Sequence, residues 1–430
     1  MDPSYPRLMW PTLLLLTTWG CGPVTIATDT ETDTVDTVPQ ATEPTVDTDT
    51  GVPDADDTEE LGSPSDPIFN LDFVHTLDIT LPLDGYQALA EDPWTYTQGD
   101  VVFDGQAVDA VGVRLKGAWG SFESLDSKAN FKIDFNRYVD GQTLWGIEQL
   151  TVNNSKVDCS FLRENMAYTT IAAVGLHETR TAYVWVTLND QDYGLYVLIE
   201  TPDDRWLDET FDDPDGNLYD GKYIFTEDWD FVSMVDFTPG LQVYFELEEG
   251  TDVGMVDVSA VTDALMAARS SDDGYALLGA VIDWDQILRV WAAEQWVGQL
   301  DGYFLNQNNY RVYFNPASGL MEMLPWDMDY SFYHSSDWGM NWDRPAGQLA
   351  SFCVSDDTCM TALKAASDEV LEAVEGAGLA EHLEAMVTLT EDHSSRDPRA
   401  CTDPMDVLRR QQDMREWVQW RSDEVRQLWD

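Results

Sequence analysis

The chain has 430 residues and a formal net charge of −57, from 80 acidic and 23 basic side chains. A surface of that sign repels nucleic acids and anionic lipid headgroups, which excludes phosphate-backbone binding as a role. With 43% hydrophobic residues and 17 Trp, enough apolar surface remains for one large domain or two closely packed lobes.

At the N-terminus Arg7 precedes an apolar run over residues 8–18, too short to span a bilayer but suited to the core of a signal peptide. Trp19-Gly20-Cys21 follows, and a small residue directly before Cys at this depth resembles a bacterial lipoprotein cleavage site. On that resemblance residues 1–21 are a leader ending at a lipidated Cys21. The chain is then exported and held by its lipid alone, at the outer membrane or cell surface. Residues 22–66 are mostly Thr, Asp, Glu, Val and Pro with no Lys or Arg. So little apolar surface cannot offset ordering entropy, and a disordered acidic tether is expected.

Folded sequence begins near Ile68. Alternation predicts strands over 74–81, 100–108, 111–116, 130–135 and 151–154, then a helix over 160–174. Strands at 182–188 and 193–200 follow, joined by a turn at 189–192. Helical periodicity takes over at 256–269, 284–300, 361–375, 379–391 and 406–429, interrupted by short strands at 310–314 and 321–325 around a 315–319 turn. The expected class is α+β, with a β-rich lobe over 67–200, a mainly helical lobe over 201–430 holding a small hairpin, and ligands in the cleft between them.

Besides Cys21 there are four cysteines, Cys159, Cys353, Cys359 and Cys401. An even count in an oxidising compartment predicts disulfides; Cys353 and Cys359 can close a small loop, with Cys159 and Cys401 as the other pair, although four cysteines admit three connectivities. No CxxC pair or His-Cys cluster points to zinc.

Polar residues concentrate between 300 and 332. Asp301 and Asn306 have the D-x-x-x-x-N spacing of a protein-kinase catalytic loop, where the Asp accepts the substrate hydroxyl proton and the Asn holds magnesium. Asp327 and Asp329 stand two positions apart after an apolar strand. In an extended segment both carboxylates face the same way, as suits magnesium shared with substrate phosphates; the plain alternative is a turn carrying two solvated acids. No Lys or Arg occurs between Arg7 and Arg114, after which Arg114, Lys116, Lys128 and Lys132 come close together. Lys132 lies in an alternating segment, and a strand lysine paired with a helix glutamate, here Glu164, can grip nucleotide phosphates. Arg163 beside it is the alternative phosphate anchor, and surface lysines guarding an edge strand are the plain reading.

Several motifs in one order resemble the spore-coat protein H (CotH) kinase family. They are residues 112–117, Ser127-Lys128, Phe131-Lys132-Ile133, residues 150–154, Leu162-Arg163-Glu164, Tyr193-Gly194-Leu195-Tyr196 ending in Glu200, Gly216-Asn217-Leu218-Tyr219, residues 301–313 and residues 325–332. The resemblance covers roughly 70–335. It implies a remote protein-kinase-like fold and an exported atypical protein kinase that moves phosphate from ATP to Ser or Thr, with Mg²⁺ or Mn²⁺ as cofactor. It makes Asp301 the catalytic residue, and one of Asn306, Asn308 and Asn309 a metal ligand with Asp329, assisted by Asp327. Lys128 or Lys132 would meet the phosphates beside Glu164. Residues 117–121 are the nearest stretch to a Gly-rich phosphate loop. Partners would be exported proteins of basic or Ser/Thr-rich character. The alternative is a non-catalytic surface adhesin on the same scaffold; a hydrolase finds no G-x-S-x-G or H-E-x-x-H motif.

Overall fold

A computed structural model describes residues 62–117, 120–225 and 231–428. The leader, Cys21 and all but the end of the 22–66 segment lie outside these residues. The fold begins ahead of the boundary expected at 67, because Arg180 donates to Asp66 at 2.7 Å and to Ser65 at 2.7 Å.

In β1 (His75–Thr80) every second residue is buried, so Leu77 and Ile79 face inward. A helix, α1 (Leu83–Glu91), leads to β2 (Thr97–Phe103) and β3 (Gln106–Lys116). The segment expected as one strand over 100–108 is the end of β2, a turn and the start of β3. Asp104 and Gly105 take φ of +46° and +83° there, the left-handed pair that a two-residue hairpin turn requires. Then come β4 (Asn130–Asp134), β5 (Gln149–Asn153), α2 (Arg163–Ala173), β6 (Thr181–Leu188) and β7 (Gln191–Ile199).

These strands run β1-β2-β3-β4-β5-β7-β6, and β6 returns to pair in parallel with β1. The β-rich lobe expected to be kinase-like is therefore a closed seven-stranded barrel without a free edge. Leu77, Val113, Phe131, Val152, Val184 and Leu198 belong to the core that fills it.

The later half contains α3 (Asp204–Thr210), β8 (Asn217–Gly221), β9 (Tyr223–Phe225), β10 (Phe231–Met234), β11 (Glu246–Glu249), α4 (Val256–Ala268), α5 (Gly274–Leu278), α6 (Trp284–Val297) and α7 (Tyr303–Asn306). It continues through β12 (Tyr310–Asn315), β13 (Leu320–Pro325), α8 (Gln348–Cys353), α9 (Asp357–Gly376), α10 (Leu379–Arg396) and α11 (Pro404–Leu428). The hairpin expected around 315–319 is β12–β13, but it forms one side of a four-stranded sheet ordered β11-β8-β12-β13. The two extra strands escaped the pattern because they are short, and β11 reads Glu-Leu-Glu-Glu.

The two halves share a core. Tyr183, Leu195 and Val197 on the barrel belong to one buried cluster with Trp296, Met328, Leu371, Leu383 and Trp417 of the helical half. Disulfides join Cys353 to Cys359 and Cys159 to Cys401, the second closing a sequence separation of 242. Among the described residues no helix is long and apolar enough to cross a membrane.

Candidate active site

Where the barrel meets the helical half, a recess is lined by Lys116, Ser121, Asn130, Asn153, Asn154, Ser155, Glu164, Asp327 and Asp329. It holds about 10 Å³, room for one water or one cation. Barrel register supplies one wall: Lys116 ends β3 and pairs directly with Asn130, the first residue of β4, so both project from the same face. Asn153 ends β5. Glu164 sits in the first turn of α2, whose entry is held by Asp158, a carboxylate accepting from the Ser160 N–H at 2.9 Å and the Arg163 N–H at 2.7 Å.

The Asp327–Asp329 segment is not extended as the sequence suggested. Asp327 takes a left-handed φ of +47°, and Met328–Tyr330 form a 3-10 turn. The turn follows from packing, since Met328 is fully buried in the shared core and the chain bends to insert it. Both carboxylates still border the recess, Asp327 from the residue before that turn and Asp329 from its middle.

One ammonium serves this acidic site. Lys116 Nζ donates to Asn153 Oδ1 at 2.5 Å and lies 3.7 Å from Asp327 Oδ1. The Asn153 amide donates to Glu164 Oε1 at 2.7 Å and to Asp327 Oδ1 at 3.3 Å. Glu164 Oε2 is buried with no partner. Burial, and then the charge of Asp327, pushes the Glu164 carboxyl up to about 8. Burial, Asp327 and Glu164 together hold Asp329 well above the usual carboxylate range, with Lys116 opposing.

Raised folded-state values mean that the fold binds more protons than the unfolded chain, so stability falls as pH rises. The metal-free protein is therefore expected to lose thermal stability between about pH 5 and about pH 8, as Glu164 is forced to ionise. Melting curves across that range check this, and a flat or rising profile contradicts it.

Asp301 lies beside the recess. Asn306, Asn308 and Asn309 all donate to its carboxylate, the last two at 3.0 and 3.1 Å. The Asn309 amide also donates to the Asp327 carbonyl at 2.9 Å, and the Leu300 N–H donates to the Tyr330 carbonyl at 3.1 Å. The two acidic stretches found in the sequence are thus stitched together. Burial raises the Asp301 carboxyl to about 6 despite the asparagine amides, and Asp327 adds to the rise. Under this loop, the Glu294 carboxyl on α6 is buried and occupies the space that a Cβ at Gly302 would need.

The structure brings Lys116, and neither Lys128 nor Lys132, to Glu164. Lys128 is buried in an ion pair with Asp397 at 2.6 Å. Lys132 shares the face of Asn130 but stands one cross-strand pair further along, opposite Arg114 and Thr151. Burial and the nearby Arg114 and Arg311 lower it to about 8. Arg163 stacks its guanidinium over the Tyr333 ring at 3.8 Å. The sequence reading passed over Lys116, Asn130, Asn153 and Asn154 as site residues. Their signal was the register of two alternating strands, with Lys116 and Asn130 at the ends where a hairpin pairing would align them.

The donor set suits a hard cation. It consists of carboxylate and amide oxygens around an ion-sized space, with one buried carboxylate oxygen left unpaired. Among the described residues no three His, Cys, Asp or Glu side chains already converge on one point.

A family model described as CotH kinase protein matches residues 113–425, well over half the chain. A curated relative, "Inner spore coat protein H" of Bacillus subtilis (strain 168), is 23% identical over 211 residues, covering 47% of this chain and 54% of the relative. The chain thus spans about half of that relative's length.

Proposed function

Since this chain belongs to the CotH kinase protein family, we propose that it transfers the terminal phosphate of ATP to Ser or Thr hydroxyls of exported proteins. The observation that carries the reading is the convergence of Lys116, Glu164, Asp327 and Asp329 on one ion-sized recess beside Asp301. A recess this small takes a cation or a single phosphate oxygen and leaves the rest of a nucleotide against its mouth. Lys116 approaches the phosphates as a point charge, and Glu164 and Asn153 hold its position. Asp329 and Asp327 would hold Mg²⁺ or Mn²⁺, which neutralises charge on the phosphates when bound. Asp301, oriented by three asparagine amides, accepts the proton of the attacking hydroxyl. Catalysis on this reading is positioning plus charge neutralisation.

The proposed substrates carry basic or Ser/Thr-rich segments, drawn to a chain of net charge −57. Lipidation at Cys21 would hold the enzyme at the envelope facing them. The test is transfer of label from γ-labelled ATP, with Mg²⁺ or Mn²⁺, to a Ser/Thr-rich basic polypeptide or to the chain itself. Melting temperature with and without Mg²⁺·ATP is followed in parallel, because a ligand that binds only the folded state raises it. Label transfer with stabilisation supports the kinase. Neither effect leaves the scaffold as a non-catalytic binding protein.

A further inference from the structure

Lys128 belongs to a motif that the phosphate site does not use. Its ammonium donates to Asp397 Oδ2 at 2.6 Å, with side-chain exposures of 5% and 0%, and lies over the Phe161 and Tyr196 rings at 4.7 and 5.0 Å. Asp397 comes from the connector between α10 and α11. The same Asp397 Oδ2 accepts the Leu195 N–H at 2.9 Å. Only glycine allows this approach: Gly194 has a φ of +104°, and a Cβ there would fall 2.1 Å from Asp397 Oδ1.

From Lys128 a chain of hydrogen bonds leads into the recess. The Lys128 carbonyl accepts from the Asn154 side-chain amide, the Asn154 N–H donates to Asn130 Oδ1 at 2.6 Å, and the Asn130 amide donates to the Ser121 carbonyl at 3.0 Å. Ser121, Asn130 and Asn154 all line the recess. Arg399, two residues beyond Asp397, donates to the Leu125 and Ser127 carbonyls and seals the same loop from outside. A buried ion pair is a poor source of stability, since apolar residues of similar size often serve as well. What an ion pair adds here is direction.

We propose that Lys128 and Asp397 are a positioning pair, through which the α10–α11 connector sets the recess wall that receives the nucleotide's phosphates. The proposal rests on the kinase reading above and deepens it. Neither residue touches nucleotide; each acts through Asn154 and Asn130.

The test uses the purified full chain and three variants, Asp397→Asn, Asp397→Glu, and the apolar double variant Lys128→Met with Asp397→Leu. Melting temperature, Kd for Mg²⁺·ATP and label-transfer rate at saturating ATP are measured for each. Asp397→Asn is expected to weaken Mg²⁺·ATP binding about tenfold while the saturated rate changes less than about threefold. Asp397→Glu recovers part of the affinity. The apolar double variant recovers melting temperature to near wild type, yet its Kd stays raised. A Kd that returns whenever melting temperature returns, or that never moves in a wild type that binds Mg²⁺·ATP, overturns the positioning role and leaves the kinase reading intact. A wild type that does not bind Mg²⁺·ATP overturns the kinase reading, and this proposal with it.

Discussion

Replacing Asp329 by Asn is expected to lower phosphoryl transfer by about 10³-fold while making the metal-free protein more stable. The two effects share one cause. Asp329 is buried beside Asp327 and Glu164, with only Lys116 to offset three carboxyls, so its ionised form is disfavoured in the fold. An amide of the same shape removes that burden and raises melting temperature by about 1–2 °C for each kcal/mol recovered. It also removes a charged ligand from the cation, so the stabilisation that Mg²⁺ or Mn²⁺ gives the wild type should largely disappear. Thermal melts with and without metal, alongside label transfer, check both halves. An Asp329→Asn chain with metal-dependent stabilisation equal to wild type would show that Asp329 holds no cation.

Replacing Asp301 by Asn should separate chemistry from binding. The variant keeps the shape and one oxygen to accept from the neighbouring asparagine amides but can no longer take up a proton. Transfer is expected to fall by about 10³-fold, with Kd for Mg²⁺·ATP within about threefold of wild type. A second signature lies in the pH profile. The Asp301 carboxyl is raised to about 6, and only its ionised form accepts a proton. In the wild type, kcat/KM, which reports the free enzyme, should therefore fall as pH drops through about 6. The residual activity of Asp301→Asn should lack that limb. A variant that loses nucleotide affinity along with rate would assign Asp301 to binding.

How much of this was legible beforehand follows the reach of each signal. Long periodic segments such as α6 and α11 announce themselves, because an apolar stripe at helical spacing repeats over several turns. The β2–β3 hairpin was written in Asp104-Gly105, yet the flanking alternation runs on smoothly enough to pass for one strand. Barrel closure is different in kind: the parallel pairing of β1 with β6 joins residues about a hundred positions apart, and no local pattern encodes it. At the site, Asp301 and Asp329 stood out because carboxylates at kinase-like spacing are chemically conspicuous. Lys116 and Lys132 could not be ranked from sequence, since both occupy the same face of paired strands. Which one meets Glu164 depends on where α2 lands over the barrel, a tertiary fact. The Asp327–Asp329 turn was likewise hidden, because the burial of Met328 that bends it is decided by partners elsewhere in the chain.

The connector that carries Asp397 also carries Cys401, bonded to Cys159 just ahead of α2. Every residue assigned here to phosphates, cation or proton transfer lies between 116 and 329, so a ribosome has delivered them all long before it reaches 397. On the role proposed for Lys128 and Asp397, the recess would take its brace from a stretch made after all of them, through an acid that grips Lys128 and a connector held by a disulfide. A molecule truncated before that point would hold the full set of proposed reactive groups without that brace. The proposed brace would thus tie competence to synthesis past residue 401 and to oxidation of that cysteine pair.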